Sequence, residues 1–463
     1  MASKSYEMDM CSGPLPGKIL RFAIRLMLSS ILQLLFNAAD VIVVGQFSGS
    51  TSLAAVGSTG ALTNLLTNIF LGLSIGANVL VARYYGARQE NDVRETIQTS
   101  MLIAIVGGLL LVVVGLAVTY PLLELMATPE DVIGKAATYM RIIFVGCPFM
   151  LVYNFGSAIL RAVGDTKRPL YYLTAAGILN IILNLFFVIV CHLDVAGVAL
   201  ATIISQCLSM VLVVRCLMKE EGALKFHPKE MRFHKEKLLG IVRIGLPAGL
   251  QGAVFSISNV LIQSTVNSFG SIAMAGNTAA ANIEGFVYVA MNAMYQSAIS
   301  FTGQNMGARK YRRVDKILVT CLGYVVIFGL GLGLAALALG DVLLGFYTND
   351  PAVVEYGLLR MAIICPTYFT CGIMDTLVGS LRGMGCSVVP MTASIVGVCG
   401  LRVLWIFTVF RFISPTLTTL YISYPVTWVV TALVHLVTFI VIRRRYPSQD
   451  LEDPVTSYRK ETA

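Results

Sequence analysis

Charge is scarce in this chain: 13% of its 463 residues are Asp, Glu, Lys or Arg, where a soluble domain carries about a quarter. With 56% hydrophobic residues and a mean hydropathy of +0.78, that scarcity excludes an ordinary water-soluble protein. Other absences narrow the function. The ten cysteines form no Cys-x-x-Cys and find no paired His ligands, so neither a disulfide framework nor a zinc site is supported; they read as small core residues. No Gly-x-x-x-x-Gly-Lys-Ser/Thr loop is present, which leaves an ion gradient rather than ATP as the energy source. Gly72-Leu73-Ser74-Ile75-Gly76 fits the nucleophile-elbow pattern. Its context is a hydrophobic run, where small residues serve close helix approach, so an intramembrane enzyme is not expected. The same packing reading suits Gly329-x-x-x-Gly333, and His435 reads as polar packing of the last span. No cofactor is expected. The N-terminus, Lys4 to Gly17, lacks the features of a signal peptide, and no large soluble domain suggests a receptor.

What is present is hydrocarbon-length apolar sequence. Twelve runs of about twenty residues recur along the chain, from 18–46 to 416–442 and including 272–301, each long enough for a bilayer core of roughly 30 Å. Lipid cannot satisfy backbone amides, so the expected fold is an all-α bundle of twelve transmembrane helices. Twenty-nine of the thirty-four Lys and Arg fall on one side, in the N-terminal segment with Lys4 and Lys18, the even-numbered loops and the tail. The other side carries Glu124, Glu130, Asp131, Asp194, Asp341, Asp350 and Glu355 against Lys135 and Arg411. This positive-inside pattern places both termini in the cytoplasm of a multi-pass plasma-membrane protein, and it accounts for the net charge of +9 without a nucleic-acid partner.

The two halves repeat. Gly86-Ala87-Arg88 recurs as Gly307-Ala308-Arg309, and Leu160-Arg161-x-x-Gly164 with Pro169 recurs as Leu381-Arg382-x-x-Gly385 with Pro390, both at an offset of 221. The expected organisation is a six-helix lobe over 14–218, a cytoplasmic linker over 219–237, a second six-helix lobe over 238–445 and a cytoplasmic tail over 446–463. Six is even, so the repeat is parallel, and sites in such duplicated carriers lie near midplane in or between the halves.

Three of twenty-five acids fall inside spans: Asp40, Glu284 and Asp375. An ionisable group in hydrocarbon is expensive and marks a functional candidate. Gln33, Asn37 and Asp40, at i, i+4 and i+7, share one helix face, and Asn180 and Asn184 share another. Asp40 is the candidate site for H⁺ or Na⁺; its alternative is a protonated acid bonded to a neighbouring helix. Glu284 and Asp375 are candidates for a cation or a cationic substrate, with an ion pair to Arg402 as their alternative.

The ordered set of Asp40-x-x-x-x-Gly45, Leu53-Ala54-Ala55-Val56-Gly57, Gly86-Ala87-Arg88, Leu160-Arg161-Ala162-Val163-Gly164-Asp165, Gly303-Gln304-Asn305-x-Gly307 and Leu381-Arg382-Gly383-Met384-Gly385 resembles the multidrug and toxic compound extrusion (MATE) family, bacterial branch, over residues 14 to 445. The resemblance implies efflux of small, usually cationic organic compounds in exchange for inward H⁺ or Na⁺ by alternating access. It implies an N-lobe coupling site at Asp40, with Asn154, Asn180, position 184 and Thr202. Several relatives carry a second Asp where this chain has Asn184, so a two-carboxylate Na⁺ cage does not follow. Some family models bend the first helix at a proline; here Leu26-Met27 stands where the second half has Leu246-Pro247. The expected partners are an organic cation, H⁺ or Na⁺ and membrane lipid, and the expected state is a monomer. The competing transport reading is a flippase of a lipid-linked precursor, which would want cationic side chains toward a phosphate.

Overall fold

The computed structural model describes residues 6–126 and 128–451. Residues 452–463 of the tail expected over 446–463, and Lys4, lie outside the described residues. Twelve long helical spans follow one another: α1 Leu15–Phe47, α2 Ser50–Gly86, α3 Glu90–Leu125, α4 Glu130–Ala162, α5 Lys167–Val190, α6 Asp194–Lys219, α7 Lys235–Asn267, α8 Ser271–Gly307, α9 Tyr311–Ala338, α10 Pro351–Gly383, α11 Val388–Ile413 and α12 Leu417–Arg443. Among the described residues there is no strand. Eleven of the twelve are long and apolar enough to cross a membrane. The exception is α8, expected as the span 272–301. It carries Asn277, Asn282, Glu284, Asn292 and Gln296, and most of its residues are buried against α9 and α10. A helix shielded from lipid by its neighbours need not be apolar all round.

The repeat is visible in the backbone. Spans α2 and α8 have the same length, 37 residues, and both start after a left-handed glycine, Gly49 at φ 88° and Gly270 at φ 99°. Both end at Gly-Ala-Arg with the arginine itself left-handed, Arg88 and Arg309 each at φ 57°. Gln89 N–H then bonds Tyr84 O at 3.0 Å and Lys310 N–H bonds Asn305 O at 2.9 Å, the 6→1 bond of a Schellman cap. The Leu-Arg-x-x-Gly motif is the same device at the ends of α4 and α10. Gly164 (φ 90°) and Gly385 (φ 84°) turn the chain, and Asp165 and Cys386 return 2.9 Å bonds to Leu160 and Leu381. The repeated motifs are therefore helix stops. A π-helical stretch closes both α5 (Phe186–Val190) and α11 (Ile406–Ile413).

The chain packs as two compact units: Met1–Asp9 with Leu28–Ala253, and Met10–Met27 with Val254–Ala463. In the first unit α4 is central, packed on α2, α3 and α6; in the second α10 takes that place against α8, α9 and α12. The opening turns of α1 belong to the second unit, where Phe22 meets Phe301 edge-on at 5.5 Å and Asn305 donates to Met10 O at 3.1 Å. The first part of α7 belongs to the first unit, together with the linker. Leu224 and Phe226 are buried there, Lys237 pairs with Asp92, and Arg94 donates to Glu230. That bond holds the Glu230 carboxyl below its usual range.

Glycines set how close the helices come. A Cβ on Gly72 would lie 2.2 Å from Gly249 N, and one on Gly76 would lie 2.3 Å from Ile241 O, so α2 and α7 pack backbone to backbone. The second unit repeats the idea with Gly333, whose Cβ would meet Cys365 O at 2.1 Å. The predicted consequence is that Gly72→Val costs at least about 1–3 kcal/mol by overpacking and lowers the thermal midpoint in detergent. Gly60→Ala, facing open space on the same helix, leaves that midpoint in place.

Candidate functional site

The first unit brings three of the expected residues together. Asp40, half-buried on α1, accepts a hydrogen bond from Asn184 Nδ2 on α5, and the same amide reaches Asn180 Oδ1 at 3.2 Å. Spacing i, i+4 puts both asparagines on one face of α5, and both are buried. Asn184 Oδ1 is buried without a hydrogen-bond donor. A carboxylate beside two amide oxygens, one of them unsatisfied, is a donor set suited to a proton or a hard cation. The other expected members stand apart. Asn154 donates to Met150 O of its own helix at 2.8 Å, and Thr202 donates to Val198 O at 3.0 Å. Gln33 and Asn37 are exposed on α1 and make no bond to Asp40 among the described residues.

The second unit encloses a cavity of about 480 Å³ whose wall includes Glu284, Asp375, Arg360 and Arg402. Glu284 is paired with Arg360 rather than with Arg402, which corrects the ion pair weighed from sequence. Arg360 Nε donates to Glu284 Oε1 at 2.9 Å and Nη2 to Oε2 at 2.7 Å, a bidentate fork. Its Nη1 donates to Asn277 Oδ1 at 2.8 Å, which also accepts from Tyr421 Oη at 3.1 Å. Both ions are buried, and the network closes around them. Asp375 is not paired with Arg402 either. Its Oδ2 accepts only a long 3.4 Å bond from Tyr288 Oη. Arg402 instead lies over the Tyr424 ring at 4.2 Å and donates Nε to Thr427 Oγ1 at 3.2 Å. Facing α12 from α11, it takes aromatic faces in place of an acid.

Sequence reasoning passed over Arg360. It lies inside the tenth predicted span, and an arginine there was itself a signal equal to that of the acids. The repeat could not flag it, because its mate 221 residues earlier is Tyr139. His435 bonds Ser394 Oγ at 2.9 Å inside the bundle.

A family model described as MatE matches residues 26–186 and again 247–408, once in each half. The chain belongs to the MatE family. Its members are transporters, and this MatE protein is a multi-pass membrane transporter rather than an enzyme. It is similar to the probable multidrug resistance protein YoeA of Bacillus subtilis, 26% identical with 89% of this chain and 90% of the relative covered. It is also similar to a FAD transporter of Shewanella oneidensis, 24% identical over 85% and 87%. Among solved structures, an outward-facing multidrug resistance MATE transporter superposes with a TM-score of 0.88 at 21% identity, covering 96% of this chain and 98% of that one. The Vibrio cholerae transporter VcmN in its bent form gives 0.85 at 21%, covering 93% and 97%.

Removing one member of a closed buried pair leaves an uncompensated charge. Arg360→Ala in this MatE protein is expected to cost about 3–5 kcal/mol, read as loss of folded yield and of thermal midpoint. The double variant Glu284→Gln with Arg360→Met recovers most of it, since no buried charge remains.

Proposed function

We propose that this protein is a secondary antiporter of the plasma membrane that exports organic cations in exchange for inward H⁺ or Na⁺ by alternating access. It works as a monomer with both termini in the cytoplasm. The observation that carries the reading is Asp40 held against Asn180 and Asn184, an acid among amide oxygens with one oxygen left unsatisfied. A cation at such a site changes the charge of a half-buried carboxylate, and so biases whichever conformation accommodates that charge better. Exchange of one H⁺ or Na⁺ for one monovalent organic cation moves no net charge, so the driving force is the concentration gradient of the inward ion, about 1.4 kcal/mol per tenfold ratio. The single carboxylate supports one-for-one coupling. The multidrug names of several relatives support a drug-like cargo. Asp375, which makes no ion pair among the described residues, supports positive charge on it.

The test is efflux of a fluorescent lipophilic cation from cells or everted vesicles, with the proton and sodium gradients collapsed separately. Wild type is expected to lose transport when one gradient is removed, and Asp40→Asn to lose it under both. Full efflux by Asp40→Asn under an intact gradient would overturn the assignment. A wild type that moves no organic cation would favour the lipid-precursor flippase, whose phosphate would find cations in the second unit's cavity.

A further inference from the structure

Among the described residues, the wall of the second unit's cavity carries one cation and one acid that make no ion pair. The Glu284–Arg360 pair is already engaged by its own fork, by Asn277 and by the Tyr421 and Tyr424 rings at 5.4 and 5.3 Å. What remains is Arg402, only 4% exposed, with a single hydrogen bond through Nε and no acid within ion-pair distance among the described residues. Its two Nη groups have no protein acceptor among the described residues. Asp375 stands in the same wall, with Arg382 in electrostatic range but no ion pair among the described residues. The two are not each other's counter-ions, and Cys371 lies within electrostatic range of both. A buried guanidinium without a counter-ion is costly to keep, and an anion that docks on it relieves that cost. Arg402 rests on Tyr424 at 4.2 Å and Trp428 at 5.8 Å, which fixes the plane of its fork. Phe255, Tyr368 and Trp428 give the same cavity flat apolar walls. Its volume suits one drug-sized molecule.

We infer that this cavity takes an amphoteric aromatic molecule: a carboxylate or other planar anion seats on the Nη groups of Arg402, its amine seats on Asp375, and its ring system lies between the aromatic walls. This deepens the antiporter reading and rests on it for transport, since it names the cargo as a cation that also carries an anionic group. A purely cationic compound satisfies Asp375 and leaves Arg402 bare, so the site discriminates between two ligands that differ only in their anion.

The probe pair is an aminoxanthene dye with a free benzoate and the methyl ester of the same dye, titrated by fluorescence polarisation against purified full-length protein in nanodiscs, with no gradient present. Wild type is expected to bind the acid about ten- to a hundredfold more tightly than the ester, the scale of one charge-assisted hydrogen-bonded contact. Arg402→Gln removes that preference, and Asp375→Asn weakens both dyes together. Equal binding of the two dyes by wild type overturns the inference without recourse to any variant. So does a preference that survives in a folded Arg402→Gln. The antiporter reading fails separately: gradient-driven efflux of the ester in Arg402→Gln upholds it whatever the dye preference, and a wild type that prefers the acid dye in binding but effluxes neither dye sinks it while leaving the cavity assignment in place.

Discussion

Hydrocarbon supplies no hydrogen-bond partner, so every polar side chain along the twelve spans must find one inside the protein or bear the cost of having none. The rest of the structure follows from how that requirement is met. Backbone amides are consumed by long helices that stop at repeated caps. Serine and threonine hydroxyls turn back to their own helices, as Thr202 does to Val198. Glycines such as Gly72 and Gly249 let the helices meet closely enough to exclude lipid from the remaining polar groups.

Against that background the buried ions sort by how completely they are satisfied. Glu284 and Arg360 form a bidentate pair that is extended to Asn277 and joins α8 to α10. Asp40 is satisfied on one oxygen by Asn184, whose own carbonyl is left over. Arg402 and Asp375 each make one side-chain hydrogen bond and no ion pair among the described residues. Transport needs groups whose partner comes and goes. Asn184 beside Asp40 and the Arg402 and Asp375 side chains of the cavity are among the incompletely satisfied groups, and there a cation and a cargo are expected to supply the missing contact.

The amount of this that the sequence carried follows from range. Helix number, the parallel repeat and the membrane location rest on local hydrophobicity and charge, so they were legible residue by residue. The faces holding Asp40 and the Asn180/Asn184 pair were legible too, since i, i+4 spacing is local. Which faces meet was not. Asn154 and Thr202, placed with Asp40 by family resemblance, turn to their own backbones, because a mid-helix Asn or Thr has a carbonyl four residues back within reach. The partner of Glu284 lies 76 residues away, and no repeat or spacing connected the two. Nor did hydropathy suffice for α8, which is polar because its neighbours cover it.

The central claim is that the Asp40 carboxyl exchanges its cation as the transporter works. The most direct measurement is an infrared difference spectrum of the purified protein in lipid, titrated with H⁺ and with Na⁺, for wild type and Asp40→Asn. The account predicts a carboxyl band in wild type that responds to one of the two cations and disappears in the variant. A wild-type spectrum in which no carboxyl band responds to either cation, or one whose response is unchanged in Asp40→Asn, would contradict it.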